Sequence, residues 1–346
     1  MTYELKYMFR CLQLAQYGVG YVAPNPMVGA VLVYDDRIIG EGYHHHFGEA
    51  HAEPNAINSV KQPELLQDAT LYVSLEPCSH YGKTPPCADL IVKSGIQRVV
   101  IGTKDPNPKV SGRGVEILQN AGIEVIVGIM EKECRELNKR FFIFQEQKRP
   151  HILLKWAQTQ DGFMDRKRRD NTESPLQISN AITKQMTHKM RSENQAILVG
   201  VNTVLLDNPS LTVRDWTGKS PVRIAIDRQG RIPTNFNLMD GSVRTIIFTE
   251  ILRKNEHNLE FVKINFDEHA LPNILQNLFE QNIHSVMVEG GASILNIFIE
   301  AGLWDEANIE VSPLRIADGV KAPVLNLLPI SKNTVGGHEW LFFENK

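Results

Sequence analysis

The chain has 346 residues, room for two domains of roughly 150 residues each. Apolar residues make up 42% and charged residues 22%, which excludes disorder as the main state, and a net charge of −3 gives no footprint for a polyanion such as DNA or RNA. No run of about 18 uncharged apolar residues is present, the charged amphipathic N-terminus does not read as a signal peptide, and four cysteines are too few for a disulfide scaffold, so a soluble protein of the reducing cytoplasm is expected.

Leu5, Met8, Phe9, Leu12 and Ala15 share one helical face, and Gly18 and Gly20 end that helix. PNPMVGAVLVYDDRIIGEGYH reads as a turn and two short apolar strands joined at Asp35–Asp36, a hairpin signal. AHAEPNAINSV reads as helix, ATLYVSLEPC as a strand entering a polar loop, and CADLIVKSG as helix. RVVIGTKDPN, VEILQNAG and IEVIVGI follow as strand, helix and strand. This alternation predicts an α/β domain with helices on a largely parallel sheet. A charged helix, EKECRELNKRFFIFQEQKRP, ends near Pro150, and HILLKWAQT starts a fresh strand, which places the domains at 1–146 and 150–346. The second half continues with strands ILLKWAQT, QAILVG, VRIAID, RTIIFT and SVMVEGG and helices near 180–192, 271–281 and 292–302, without an internal repeat. DRKRRD at 165–170 is the densest charge cluster and reads as a solvated loop.

The sharpest chemical feature is His51-Ala52-Glu53 followed by Pro77-Cys78 and, eight intervening residues later, Cys87. A zinc-dependent deaminase needs three protein ligands and an open fourth position for water. It also needs a carboxylate outside the metal shell to take a proton from that water and deliver it to the leaving amine. The signature H-x-E with P-C-x-x-C marks nucleobase deaminases; here the first part matches and the second is stretched. A surface histidine and two ordinary thiols are the alternative, but a His, a Glu and two Cys in this order point to metal. Cys11 and Cys134 have no such company and read as core residues, and of His44-His45-His46 at most one or two can face one site. The second half offers no nucleophile–base pair and no metal spacing. Ser111–Gly114 (SGRG) is not a dinucleotide fingerprint, lacking G-x-G-x-x-G between strand and helix. In SVMVEGGASILNIFIEAG a strand runs through Gly290-Gly291 into a helix, which suits a phosphate at the helix N-terminus or simply a tight turn.

PNPMVGAV, EGYH, GEAHAE, SLEPCSHYGKTPPC and KDPNPKVSGRG together closely resemble the deaminase half of the bifunctional riboflavin-biosynthesis deaminase/reductases. The match covers most of residues 1–128, and the long cysteine spacing separates this family from cytidine and tRNA-adenosine deaminases. The resemblance implies a cytidine-deaminase-like domain with one zinc ion per chain on His51, Cys78 and Cys87, and Glu53 as general acid/base. It also places Asn25, His44, His80, Lys83, Asp105 and Asn107 around the pyrimidine and ribose-phosphate pocket, Lys83 suiting a phosphate and Asn25 the ring edge.

LKWAQTQDGF, the stretch from Arg191 through AILVGVNTVLLDNPSLTVR, VRIAIDRQGRI and VEGGASI resemble the same family's NADPH-dependent reductase half over roughly 150–312, which implies a dihydrofolate-reductase-like fold. By position, Ala157, Thr203, Asp207 and the turn Gly290, Gly291, Ala292, Ser293 and Ile294 would contact the nicotinamide cofactor. Arg191, Leu211, Arg214 and Glu289 would hold the substrate, the arginines suiting its phosphate. Arg228 and Arg231 are the candidates for a cofactor 2′-phosphate. The chain departs from the family at Gln177, where many members carry tryptophan, and at DRKRRDNTES, usually a short Gly/Ser-containing segment. The implied activity is zinc-dependent deamination of 2,5-diamino-6-ribosylamino-4(3H)-pyrimidinone 5′-phosphate. NADPH-dependent reduction of its ribosyl group to ribityl follows, in a homodimer or larger assembly acting on small pyrimidine ribosyl phosphates. The alternatives are a deaminase of another nucleoside or of tRNA, and a deaminase fused to a domain that only binds a ligand or mediates oligomerisation.

Overall fold

A computed structural model describes residues 3–79, 85–107 and 110–345, and the chain divides into two compact units, Met1–Lys148 and Arg149–Lys346. His80 and Lys83 lie outside the described residues.

The first unit begins with helix α1 (Tyr3–Ala15) and the hairpin of β1 (Gly29–Tyr34) and β2 (Arg37–Tyr43). Asp35 and Asp36 both take left-handed backbone, φ 48° and 56°, as a two-residue hairpin turn requires. Helix α2 (Ala52–Ser59), β3 (Thr70–Leu75), α3 (Cys87–Lys93), β4 (Arg98–Thr103), α4 (Arg113–Asn120) and β5 (Glu124–Val127) follow. The sheet order is β2-β1-β3-β4-β5. Only β3, β4 and β5 run parallel, and β1 is antiparallel to both its neighbours, so the sheet is mixed rather than largely parallel. Strand side chains alternate between two apolar layers. Ala30, Leu32, Leu71, Val73, Val99 and Ile101 pack with α2, α3 and α4 residues. Val31, Val33, Tyr72 and Val100 pack with Met8, Cys11 and Leu12 of α1 and with buried Cys134.

The expected charged helix is two helices, α5 (Glu131–Leu137) and α6 (Lys139–Gln147). Between them Asn138 leaves helical geometry at φ −107°, ψ 22°. Its side chain is spent on the Met27 backbone, accepting from Met27 N–H and donating to Met27 C=O, each at 2.8 Å.

In the second unit β6 (His151–Thr159), β7 (Phe163–Asp165), α7 (Ala181–Glu193), β8 (Ala196–Gly200), α8 (Val201–Asp207), β9 (Val222–Ile226), β10 (Thr245–Thr249) and β11 (Leu259–Lys263) come first. Then come α9 (Ala270–Glu280), β12 (Ser285–Gly290), α10 (Ala292–Glu300), β13 (Glu306–Ser312), β14 (Val320–Lys321), β15 (Ser331–Val335) and β16 (His338–Glu344). Nine strands form one sheet, β11-β10-β9-β8-β12-β6-β13-β16-β15, parallel from β11 to β13 and closed by the antiparallel β16 and β15. One face packs Ile152, Leu154, Leu198, Ile224, Val286 and Val288 against α9 and α10. The other packs Leu153, Ile197, Val199, Ala225 and Met287 with Val204, Leu211 and Leu238. Among the described residues no helix is long and apolar enough to cross a membrane.

Candidate active sites

Helix α2 brings His51 and Glu53 to the first site. His51 caps its N-terminus in extended conformation, and Glu53 sits in its first turn. The helix lies close on the hairpin because β2 offers glycine there: a Cβ at Gly42 would stand 2.3 Å from the Ala56 nitrogen. From the loop after β3 comes Cys78, and Cys87 opens α3, its amide donating to Cys78 Sγ at 3.3 Å. His51 Nδ1 lies 3.6 Å from Cys78 Sγ and 3.4 Å from Cys87 Sγ, and the three donor atoms lie within 4.8 Å of one another. A tetrahedral zinc ion with Zn–S of about 2.3 Å and Zn–N of about 2.0–2.1 Å sets N···S edges of about 3.5–3.6 Å. The donor set therefore fits zinc in number, type and spacing. The hydrogen bond from Cys87 holds the Cys78 thiol well below its usual range, and the same bond pushes Cys87 up. The contact with Cys78 raises His51.

Glu53 is 3% exposed, and burial, helped by the nearby Cys78 sulfur, pushes its carboxyl up to about 7. A cation on the three donors acts in the opposite direction. His44 is the buried member of its histidine run, while His45 and His46 are exposed. Its Nδ1 lies 3.0 Å from the Ala50 carbonyl, which can only accept, so Nδ1 carries the proton. Nε2 is then the acceptor for Asn25 Nδ2 at 3.1 Å, and burial lowers the His44 pKa in keeping with a neutral ring. Asp105 is buried near the Cys78 sulfur, and burial first, then the Glu76 charge, raises its carboxyl to about 6. Its Oδ1 accepts from the Asn107 amide at 2.7 Å. The structure thus brings His51, Cys78, Cys87 and Glu53 into one cluster, hydrogen-bonds Asn25 to His44, and ties Asn107 to Asp105.

The second site is a cleft of about 660 Å³ lined from β6, β8 and β12 and the helices that follow β8 and β12. Ala157, Thr203, Asp207 and the 290–293 turn line it, as do Arg191, Leu211, Arg214 and Glu289. Ile294 does not: its side chain turns toward Gly200 and the core. Gly291 caps α10 without a side chain, leaving the first helix amides to whatever enters the cleft, and its own face lies against Thr203. A phosphate-bearing dinucleotide fits that end of the cleft. Glu289 holds Arg191 through Nη2 at 2.7 Å and Nε at 3.1 Å, and Arg191 Nη1 donates to the Thr212 carbonyl at 3.1 Å. Arg214 Nη1 donates to Thr212 Oγ1 at 3.0 Å, and Gln177 lines the cleft with its amide donating to the Ser179 carbonyl at 2.7 Å. Arg228 pairs with Glu250, and Arg231 donates to Oδ1 of Asn202, a residue that lines the cleft; neither arginine lines it itself.

Two cleft residues escaped sequence reasoning. Lys155 stands among apolar neighbours on β6 and is 4% exposed, with Nζ 3.8 Å from Glu310 Oε2; a lone lysine inside ILLKWA was the available signal. Arg168, read as part of a solvated loop, has a side chain only 3% exposed. It donates to Asp165 Oδ2 at 2.7 Å, to the Leu206 carbonyl at 3.1 Å and to Asp207 Oδ1. The remaining basic residues of the run, Arg166, Lys167 and Arg169, are exposed as expected.

The family model of the cytidine and deoxycytidylate deaminase zinc-binding region matches residues 1–103, and that of the RibD C-terminal domain matches residues 150–325. The riboflavin biosynthesis protein RibD of Aquifex aeolicus is 42% identical over 335 residues, covering 95% of this chain and 92% of that protein, and the Escherichia coli protein of the same name is 37% identical over 326 residues. Among solved structures, a diaminohydroxyphosphoribosylaminopyrimidine deaminase/5-amino-6-(5-phosphoribosylamino)uracil reductase from Thermotoga maritima superposes with a TM-score of 0.88 at 38% identity. Acinetobacter baumannii RibD superposes with a TM-score of 0.90 at 32% identity, and each comparison covers 99% of both chains. Cytidine-deaminase-like and dihydrofolate-reductase-like folds thus stand in one chain, and the chain belongs to the RibD family of bifunctional riboflavin-biosynthesis deaminase/reductases.

Proposed function

We propose that unit 1 deaminates 2,5-diamino-6-ribosylamino-4(3H)-pyrimidinone 5′-phosphate and that unit 2 reduces the ribosyl group of the product to ribityl with NADPH, giving 5-amino-6-ribitylamino-uracil 5′-phosphate. The observation that carries the first step is the convergence of His51, Cys78 and Cys87 at tetrahedral-edge spacing beside buried Glu53. One zinc ion held there supplies Lewis acidity that lets water lose a proton near neutral pH. Glu53 takes that proton on a carboxylate oxygen and returns it to the departing amine, so that water and the amino compound become carbonyl and ammonia. Neutral His44 fixes the Asn25 amide, which reads the ring edge, and Asp105 and Asn107 hold the sugar side. His80 and Lys83 complete this pocket in the reading from sequence.

In unit 2 the bound cofactor supplies the hydride. The Gly291–Ser293 helix start faces its phosphates, Thr203 and Ala157 flank it, and Arg191, oriented by Glu289, and Arg214 hold the substrate phosphate end. A homo-oligomer acting on free pyrimidine ribosyl phosphates in the cytoplasm completes the reading.

The test is mass spectrometry of products from freshly generated substrate, with and without NADPH. Exchange of amine for oxygen adds about one mass unit and reduction about two more, the second only with NADPH. Glu53→Gln should keep zinc and cut deamination by about 10²–10⁴-fold. Native-rate deamination by that variant would remove Glu53 from the mechanism, and absence of the second shift would make unit 2 a binding domain.

A further inference from the structure

The SGRG segment matches no dinucleotide fingerprint, yet it is built like an anion cradle, and the anion it cradles belongs to the chain. Glu76, 3% exposed and two residues before Cys78, points its carboxylate into the turn that starts α4. Oε1 accepts from the amides of Gly114 at 3.0 Å and Val115 at 3.3 Å. Oε2 accepts from those of Gly112 at 3.0 Å and Asp105 at 3.2 Å. Four backbone donors on one buried carboxylate make a nest of the kind that usually receives a phosphate. The glycines are required by this geometry: Gly112 has φ 78°, and a Cβ on Gly114 would stand 2.1 Å from the Pro77 carbonyl oxygen.

The nest joins two parts of the deaminase site. Glu76 follows β3 and precedes the Pro77-Cys78 ligand step, while one of its four donors is the amide of Asp105, whose carboxylate in turn takes the Asn107 amide. We propose that Glu76 is a positioning residue for deamination: its carboxylate fixes the Asp105–Asn107 side of the substrate pocket at a set distance from the strand end that delivers Cys78. The inference rests on the proposed deaminase reading. It touches neither the substrate nor the metal directly, so its signature is substrate affinity at constant zinc.

Glu76→Gln keeps size and one acceptor but turns an NH2 toward two amide donors, which then lose their partner. In the full chain, with 2,5-diamino-6-ribosylamino-4(3H)-pyrimidinone 5′-phosphate as substrate, KM for deamination should rise about tenfold or more while kcat stays within about threefold. Zinc content should remain that of the wild type. Gly112→Ala tests the same nest from the amide side, since the added Cβ meets no atom within 4 Å and only the positive φ is strained; it should raise KM in the same direction by less. If Glu76→Gln does not accumulate as folded protein, Gly112→Ala decides. KM within twofold of wild type at full zinc overturns the proposal, as does loss of zinc in step with KM, which would make Glu76 a support of the metal site. A wild-type chain that does not turn over this substrate refutes the underlying reading and the inference with it; turnover by wild type with unmoved variants refutes the inference alone.

Discussion

Asn138→Ala tests whether the break between α5 and α6 stabilises unit 1. The side chain makes two hydrogen bonds to one residue, Met27, each 2.8 Å, from a position 3% exposed. Alanine leaves a backbone donor and a backbone acceptor without their partner. With about 1–1.5 kcal/mol for each such bond, the loss is about 2–3 kcal/mol, or roughly 5–10 °C in the midpoint of a domain this size. Asn138→Asp should do no better, because it keeps the acceptor but sets a carboxylate oxygen against the Met27 carbonyl. The assay exploits the placement of aromatic residues: Trp156, Trp216, Trp304 and Trp340 all belong to unit 2, so tryptophan fluorescence follows that unit. Unfolding of unit 1 is followed by zinc release to a chromophoric chelator. Since Asn25 lies two residues from Met27, the same variant should also raise the deaminase KM. A shift below about 0.5 kcal/mol would show that the 24–28 segment is held by other contacts and that the Asn138 bonds are incidental.

Arg168→Met removes the cation that bridges Asp165 and Asp207 and leaves two carboxylates on the cleft wall. NADPH, titrated by fluorescence, should bind about tenfold more weakly, and adding Asp165→Asn, which removes the other carboxylate of the clamp, should restore most of the loss; a dissociation constant within twofold of wild type would make the clamp irrelevant to the cofactor. Cys87→Ser should purify with little or no zinc, and a full complement would remove Cys87 from the ligand set. His284, buried just before β12, has its pKa lowered by burial from 6.5 to about 4. A base depressed in the folded state contributes stability above its unfolded pKa and loses it as pH falls, so unit 2 should lose up to about 3 kcal/mol between roughly pH 6.5 and 4. His284→Gln should flatten that slope in tryptophan-detected unfolding, and an unchanged slope would assign it to other groups.

What the chain discloses in order of residues depends on how local the cause is. The Asp35–Asp36 hairpin was legible because two adjacent residues that tolerate left-handed backbone sit between apolar strands. The Gly336-Gly337 turn that closes β15 on β16 carries the same kind of local signal, φ 60° and 81°. The zinc cluster was legible for a different reason. His51, Glu53, Cys78 and Cys87 are rare residue types whose chemistry is specific, so order and spacing sufficed without knowing the path of the chain between them. The mixed sheet and the broken α5–α6 helix were not legible, because pairing of β1 with β3 and the pull of Met27 on Asn138, 111 residues away, are decided by the folded chain.

Charged residues show this limit most clearly. A run such as DRKRRD is solvated unless a distant partner makes burial affordable, and nothing within the run marks which residue has one. Arg168 is buried because Asp207, 39 residues later, ends α8 beside it, while its neighbours face water. Glu76 is buried because four amides, the farthest 39 residues on, converge on its carboxylate. In both cases the charged group sits at the edge of a site without being read as part of it. A carboxylate wrapped by four amides or a guanidinium clamped by two carboxylates is stiff, since moving it would strip several charge-assisted bonds at once. Stiffness at that place has a use in the proposed reading: the groups it assigns to a small ligand, Asp105 and Asn107 in one unit and Asp207 in the other, are each tied directly or through one bond to such a clamp. In these two cases a buried charge keeps a pocket wall still rather than acting on the reacting atoms.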